Sequence, residues 1–246
     1  MTARPALREI PQHATRMGTA MIIAVYDCIS DDVLTQKHGR SGAQIIRWIA
    51  PALPEAEFLS VHIAGNEPFL TPNEIDGLII SGSEKGVYDE TGWMEGLRCN
   101  LQDMREAGVP MFGICFGHQI LADLFGGKAE KVDRGFVVGT LAVEDNVKSY
   151  QAHLAHQDQV TKVPEGATVI ASASHCPVAA LSYDFPALSV QFHPEYDEIF
   201  LRDLIDIFGP KLLAEGDIET ARKSVRGGVP PDLYHKELAT FFRENI

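Results

Sequence analysis

The chain has 246 residues, 45% hydrophobic and 22% charged, a balance that fits a globular protein with a large core and excludes a disordered or fibrous one. Its 34 acidic against 21 basic side chains leave a net charge of −13 with no Lys/Arg-rich run, so neither nucleic acid nor an anionic membrane is expected as a partner. No segment reaches the run of ~18 apolar residues that a transmembrane helix needs. The four cysteines, Cys28, Cys99, Cys115 and Cys176, are scattered without a C-x-x-C pair, and a reducing, cytoplasmic location is expected.

Residues 1–20 carry Arg4, Arg8 and Arg16 with Pro5 and Pro11 and lack the apolar stretch of a signal peptide. They read as an N-terminal extension before a single domain over residues 21–246. Short apolar runs then alternate with longer amphipathic stretches, the pattern of parallel strands joined by helical crossovers. Met21–Tyr26, Phe58–Ile63, Gly77–Ser81 and Met111–Ile114 read as strands, with helices over Gly42–Ile49 and Trp93–Ala107. Gly117–Phe125 reads as a further helix closed by Gly126-Gly127. The period shifts toward two across Phe136–Val143, which suggests antiparallel strands and therefore a mixed sheet. Val169–Ser172, Ala179–Ser182 and Leu188–Phe192 follow as strands, and Glu198–Phe208 and Asp232–Glu244 as covering helices. His153 and His156, spaced i, i+3, read as an exposed helix face.

Chemistry concentrates at Gly113-Ile114-Cys115-Phe116-Gly117. This has the G-x-nucleophile-x-G form of an elbow in which a strand turns sharply into a helix and presents the central side chain at the sheet's carboxyl edge. A thiol there gains from the helix N-terminus and from any nearby imidazolium, both of which favour the thiolate. The amide of Phe116 points into the same space and can donate to an oxyanion. By residue frequency the five-residue string arises in roughly three of a hundred shuffled sequences, but adding His118-Gln119 lowers that to roughly a few in a hundred thousand. Coincidence then becomes a poor explanation.

A cysteine that cleaves amides needs a base that later protonates the leaving nitrogen, and a third group that orients the base. His193 and Glu195, in Gln191-Phe192-His193-Pro194-Glu195, supply both residue types at the end of a strand, where i, i+2 spacing puts two side chains on one side. His118 is read as a packing residue, and His13, His38, His62 and His235 lack a partner pattern. No histidine spacing matches a zinc site, so neither a metal nor a cofactor is expected.

These residues resemble the class I (triad) glutamine amidotransferases, in particular stand-alone bacterial members related to the amidotransferase domain of GMP synthase. The resemblance runs from about Met21 to Phe208. It rests on Asp76–Ser83 with Val87-Tyr88-Asp89, Gly113–Gln119, His156-x-Asp158-x-Val160, Cys176-Pro177-Val178 and Gln191–Glu195, all in the family's order. It implies a flavodoxin-like three-layer α/β fold with a mixed, mostly parallel sheet. It further implies that Cys115 forms a γ-glutamyl thioester, with His193 as base and acid and Glu195 orienting it. Gly82 would be the second oxyanion donor beside Phe116, while Gln119, Gln157 and Asp158 would hold the substrate.

Two departures bear on specificity. Ala155 stands where many GMP-synthase-type domains have serine before the histidine. The stretch after Glu195 is also too short for an ATP-pyrophosphatase domain, and no G-x-x-x-x-G-K-[ST] loop is present. Any acceptor reaction is therefore expected on another polypeptide, a separate synthase subunit. The leading expectation is hydrolysis of glutamine's γ-amide with release of ammonia. The alternatives are a γ-glutamyl peptidase acting on γ-glutamyl peptides or glutathione conjugates, and a non-catalytic binding or redox-sensing protein.

Overall fold

Hydrophobic alternation decides how the chain layers. The computed structural model describes residues 21–225 and 228–246, and the expected extension over residues 1–20 lies outside them. In chain order the first elements are β1 (Met21–Tyr26), α1 (Val33–His38), α2 (Ser41–Ile49), β2 (Ala56–Val61), β3 (Gly77–Ile80), α3 (Met94–Glu106), β4 (Met111–Ile114) and α4 (Phe116–Leu124). They are followed by β5 (Lys128–Lys131), β6 (Val137–Asp145), β7 (Ser149–His156), β8 (Asp158–Lys162), β9 (Thr168–Ala173), β10 (Cys176–Ser182) and β11 (Ala187–Val190). The helices α5 (Glu198–Leu212), α6 (Glu215–Ser224) and α7 (His235–Asn245) complete the order.

Among the described residues, nine strands form one sheet in the order β2-β1-β3-β4-β11-β10-β9-β6-β7, and β5 pairs with β8 apart from it. The half from β2 to β11 is parallel, and β11-β10, β10-β9, β9-β6 and β6-β7 are antiparallel. The mixed α/β architecture read from the sequence is therefore present, and the run over Phe136–Val143 does join an antiparallel ladder.

Successive side chains of a strand face opposite sides, and the core divides accordingly. Ala24, Tyr26, Leu78 and Ile80 pack with Leu97, Leu101 and Met104 of α3 and with Phe116 and Ile120 of α4. Ile23, Val25, Ile79, Phe112 and Ile114 pack on the other face with Ile45, Trp48 and Ile49 of α2 and with Leu238 and Phe242 of α7. A third cluster joins Val138 to Phe200, Leu201, Leu204 and Ile205 of α5 and to Ala221 of α6. The strands between helices are buried on both faces, as parallel strands must be.

Some element bounds differ from the sequence reading. β2 begins two residues before Phe58 because its register against β1 runs from Met21↔Ala56 to Tyr26↔Val61, so pairing sets its length. The expected exposed helix face at His153 and His156 is a strand, β7, with the two side chains 2% and 3% exposed. On a strand, i and i+3 point to opposite sides. His153 meets Thr140 Oγ1 at 3.0 Å, whereas His156 Nδ1 meets the Asp158 carbonyl at 3.1 Å. Helical spacing of two polar residues carried no weight against the ladder that β6 offers to β7. The short α1, the β5-β8 pair and α6 were not read from the sequence at all.

The helix α4 crosses close over β3 because Gly117 permits it. A Cβ on Gly117 would stand 2.4 Å from the Ile80 carbonyl oxygen, which is backbone and has little room to give. Overpacking of this kind costs roughly 1–3 kcal/mol or more. We expect Gly117→Ala to lower the unfolding free energy by that amount, read as a lower urea midpoint with an unchanged m-value; a midpoint equal to wild type would show that this crossing is not tight.

Candidate active site

The centre of the site is the junction of β4 and α4. Cys115 sits between them at φ 53°, ψ −98°, a positive φ that non-glycine residues rarely adopt and that costs on the order of 1–3 kcal/mol. Three backbone bonds hold it. The Cys115 N–H donates to the Val190 carbonyl at 2.8 Å, the Gly117 N–H to Ser81 at 3.1 Å, and the Gln119 N–H to the Cys115 carbonyl at 3.0 Å. The flanking glycines are required by contact, since a Cβ on Gly113 would lie 2.4 Å from the Gly117 backbone.

The thiol is 5% exposed and has polar neighbours on several sides. The His193 imidazole lies close enough to the sulfur for the two to interact electrostatically, Gln191 Nε2 donates to the sulfur at 3.5 Å, and the Ala155 carbonyl lies 3.9 Å away. His193 Nδ1 donates to Glu195 Oε1 at 2.8 Å, and the side chains of this pair are 2% and 1% exposed. Burial alone would depress the imidazole's pKa, but the Glu195 carboxylate and the Cys115 sulfur outweigh it and raise the pKa well above the ordinary histidine range. The Tyr196 ring stacks on the imidazole at 4.0 Å and 3°. The His193 backbone N–H donates to the His153 carbonyl at 2.8 Å, so β7 anchors the backbone of His193.

Glu195 Oε2 is buried without a hydrogen-bond partner among the described residues. A buried carboxylate left half-satisfied is a poor source of stability, and such groups mark places where structure is held for another purpose.

Gly82 lies against this group, because a Cβ there would meet His193 Cε1 at 2.9 Å and Cys115 Cβ at 3.7 Å. Ser81 Oγ accepts from the Cys28 N–H at 2.9 Å and donates to the Gly82 carbonyl at 2.7 Å, which fixes the peptide at the end of β3. The Phe116 amide opens α4, where the first N–H groups have no partner within the helix. A sulfur, an imidazole, a carboxylate and two backbone segments thus converge, and the arrangement can move a proton from thiol to imidazole beside N–H donors.

The residues expected to hold substrate form a second, linked group. Gln119 Nε2 donates to the Asp158 carbonyl at 2.8 Å and to Gln191 Oε1 at 3.2 Å. Tyr88, on the Val87-Tyr88-Asp89 loop, lies near enough to Asp158 for burial and that carboxylate to push its pKa up. Gln157 joins at the edge, its Nε2 donating to Asp158 Oδ1 at 3.4 Å. Sequence reasoning gave no role to Gln191 or Tyr196. Gln191 lay two residues before His193 in the motif, a signal of position only, and Tyr196 had none.

His118 is fully buried, with Nδ1 2.8 Å from Ser189 Oγ and Nε2 3.2 Å from the Val178 carbonyl, in keeping with a packing role. Among the described residues no group of three or more His, Cys, Asp or Glu side chains is arranged to hold a metal ion, and no helix is long and apolar enough to cross a membrane.

Comparison with known proteins adds the following. The family model described as glutamine amidotransferase class-I matches residues 41–198. Gamma-glutamyl peptidase 5 of Arabidopsis thaliana is 32% identical over 174 residues, which cover 65% of this chain and 69% of that protein. GMP synthase [glutamine-hydrolyzing] of Bacillus cereus is 38% identical over 128 residues, 48% of this chain but only 24% of the synthase. A solved glutamine amido transferase from Methylobacillus flagellatus superposes with a TM-score of 0.71 at 15% identity, covering 92% of this chain and 95% of that one, a likeness of fold.

Three histidines make stability depend on acid. Burial lowers the pKa of His118 to about 4, against a smaller opposing effect of the Val178 carbonyl. Burial likewise lowers His153 to about 4 and His156 to about 3. An unfolded imidazole titrates near ~6.5, so below that pH the unfolded chain binds protons that the folded chain refuses. The stabilisation is complete above about pH 6.5 and is lost as pH falls toward about 4. His193, with its raised pKa, acts with the opposite sign: its contribution is present below about pH 6.5 and is lost only as pH rises, so it changes little across this acid window. The urea midpoint is expected to drop steeply between roughly pH 6.5 and 5, and a flat midpoint over that interval would contradict the neutral burial of these rings.

Proposed function

The chain belongs to the class-I glutamine amidotransferase family, and on that premise we propose that it hydrolyses a γ-glutamyl amide through a thioester on Cys115, with glutamine as substrate and ammonia as product. The observation that carries this reading is the buried series Cys115, His193 and Glu195 at a strained elbow. Cys115 gives its proton to His193 and attacks the γ-carbonyl. The amides of Gly82 and Phe116 receive the oxyanion, a contact worth roughly 3–4 kcal/mol. The tetrahedral intermediate collapses, the C–N bond breaks, and His193 protonates the departing nitrogen. Water, deprotonated by the same imidazole, then cleaves the thioester and frees glutamate.

Glu195 keeps the Nδ1–H tautomer in place and stabilises the imidazolium. Gln191, donating to the sulfur, helps to fix its position. Gln119, Gln157 and Asp158 hold the amino-acid half, with the Gln119 amide oriented by the Asp158 carbonyl and by Gln191. No cofactor enters this scheme. The small molecule is the partner the site requires, and a separate synthase subunit would take the ammonia. The four cysteines are unpaired, which fits a reducing, cytoplasmic setting.

A second reading, a γ-glutamyl peptidase, is favoured by the Arabidopsis relative that matches 69% of its own length and by Ala155 beside the thiol. Purified wild type and Cys115→Ala, assayed on glutamine and γ-glutamyl dipeptides with ammonia and free amino acid read separately, distinguish the two. The variant is expected to lose all turnover, and equal hydrolysis by both proteins would refute the nucleophile. Glu195→Gln is expected to reduce kcat/KM by roughly 10²–10⁴-fold. A loss under twofold would remove Glu195 from the mechanism.

A further inference from the structure

We propose that the cavity beside Cys115 is a leaving-group subsite, and that the chain acts on γ-glutamyl amides of apolar primary amines. This rests on the Cys115 thioester proposed above and differs from the glutamine reading only in the half that departs, an apolar amine taking the place of ammonia. The cavity measures about 180 Å³ and is lined by Cys115 and His193 together with Leu34, Phe136, Phe200, Leu204, Phe208 and Leu212. Ammonia, with one heavy atom, needs about the ~30 Å³ that a water molecule fills. The space beside the thiol is several times larger.

Its position identifies which half of the substrate it serves. Gln119, Gln157 and Asp158, which hold the glutamyl half in this reading, do not line it, whereas His193, which protonates the leaving nitrogen, does. The cavity therefore opens where the leaving group must go.

Its wall is built at helical spacing. Phe200, Leu204, Phe208 and Leu212 recur every four residues along α5, one stripe of that helix. The stripe starts at the base, since Phe200 packs on Tyr196 at 4.3 Å and Tyr196 stacks on His193. It ends in solvent, with Phe200 7% and Leu212 46% exposed. An apolar path thus runs from the imidazole to the surface. An apolar space of roughly 150 Å³ is enough to accept a benzene-sized ring.

The charges exclude one class of leaving group. Among the described residues Asp31 and Glu84 line the cavity and no lysine or arginine does; Lys85 stands 3.7 Å from Glu84 but outside the lining. A leaving amino acid would bring its carboxylate toward two others, whereas an amine without one meets no repulsion. The reaction balances as before: the thiolate forms the C–S bond, the C–N bond breaks, and the amine leaves with the proton from His193.

The test compares γ-glutamyl-benzylamide, γ-glutamyl-phenylalanine and glutamine on wild type, Cys115→Ala, Leu34→Trp and Leu212→Trp. An apolar pocket discriminates by roughly 10–200-fold per group accommodated. Wild type is therefore expected to show kcat/KM for the benzylamide at least tenfold above glutamine and above the phenylalanine compound. Each tryptophan variant should lose at least tenfold more on the benzylamide than on glutamine, and the rim variant Leu212→Trp guards against a failure of Leu34→Trp to fold. Equal losses on both substrates, or a wild-type preference for glutamine or the phenylalanine compound, would overturn the subsite while leaving a Cys115-dependent thioester intact. Wild type inactive on all three would overturn both readings.

Discussion

One residue must hold a backbone conformation that its side chain opposes, and much of the site is arranged around that constraint. Cys115 at φ 53° is stable only because the strands on either side of β4 and the start of α4 leave it no alternative. Gly113 and Gly117 let the helix approach the sheet to within backbone contact, and the carbonyls of Ser81 and Val190 accept the N–H groups that the turn frees from regular pairing. The same geometry that strains the chain lifts the thiol off the sheet edge, opens the first amides of α4 beside it, and brings it to the ends of β3 and β11. Parallel strands place those ends together, which is why Gly82 and His193, distant in sequence, arrive at one point.

Around that point the interior is polar in a way that packing does not explain. The His193–Glu195 pair is almost wholly buried, with one carboxylate oxygen unsatisfied among the described residues, and Gln191 bridges the sulfur to Gln119. Low local dielectric strengthens each of these interactions and raises the penalty for disturbing any one. The network ties the sulfur to the Asp158 carbonyl through two glutamine side chains, so the groups assigned to chemistry and to substrate share one scaffold. The antiparallel half of the sheet has a part in this as well. β7 supplies the carbonyls of His153 and Ala155 next to the base and the thiol.

Sequence patterns conveyed the parallel half of this molecule and, in the antiparallel half, β6, β9 and β10, but not β7, for a physical reason. β1, β3 and β4 are buried on both faces, so they stand out as unbroken apolar runs between turns. β7 mixes Tyr150, Ala152 and Leu154 with His153 and His156, and its histidines are buried by partners that no local pattern announces. The elbow was legible because glycine at two fixed positions reports a steric need within five residues, and the nearby histidine and glutamate because they share one strand end. Gln191, Tyr196 and the cavity along α5 depend on contacts across the fold. Phe200, Leu204 and Phe208 fall within the helix read over Glu198–Phe208 and Leu212 beyond its end; their stripe was not singled out, since spacing alone cannot tell a face that packs from one that lines a cavity.

The central claim is that the γ-glutamyl group is carried on Cys115. Its most direct test is to mix the protein with glutamine, quench in acid within a turnover, and map the peptides by mass. The account predicts a glutamyl adduct on the peptide containing Cys115, absent in Cys115→Ala and lost on mild hydroxylamine treatment as a thioester should be. Turnover with no adduct on that cysteine under any quench time, or an adduct on Cys28, Cys99 or Cys176 instead, would contradict it.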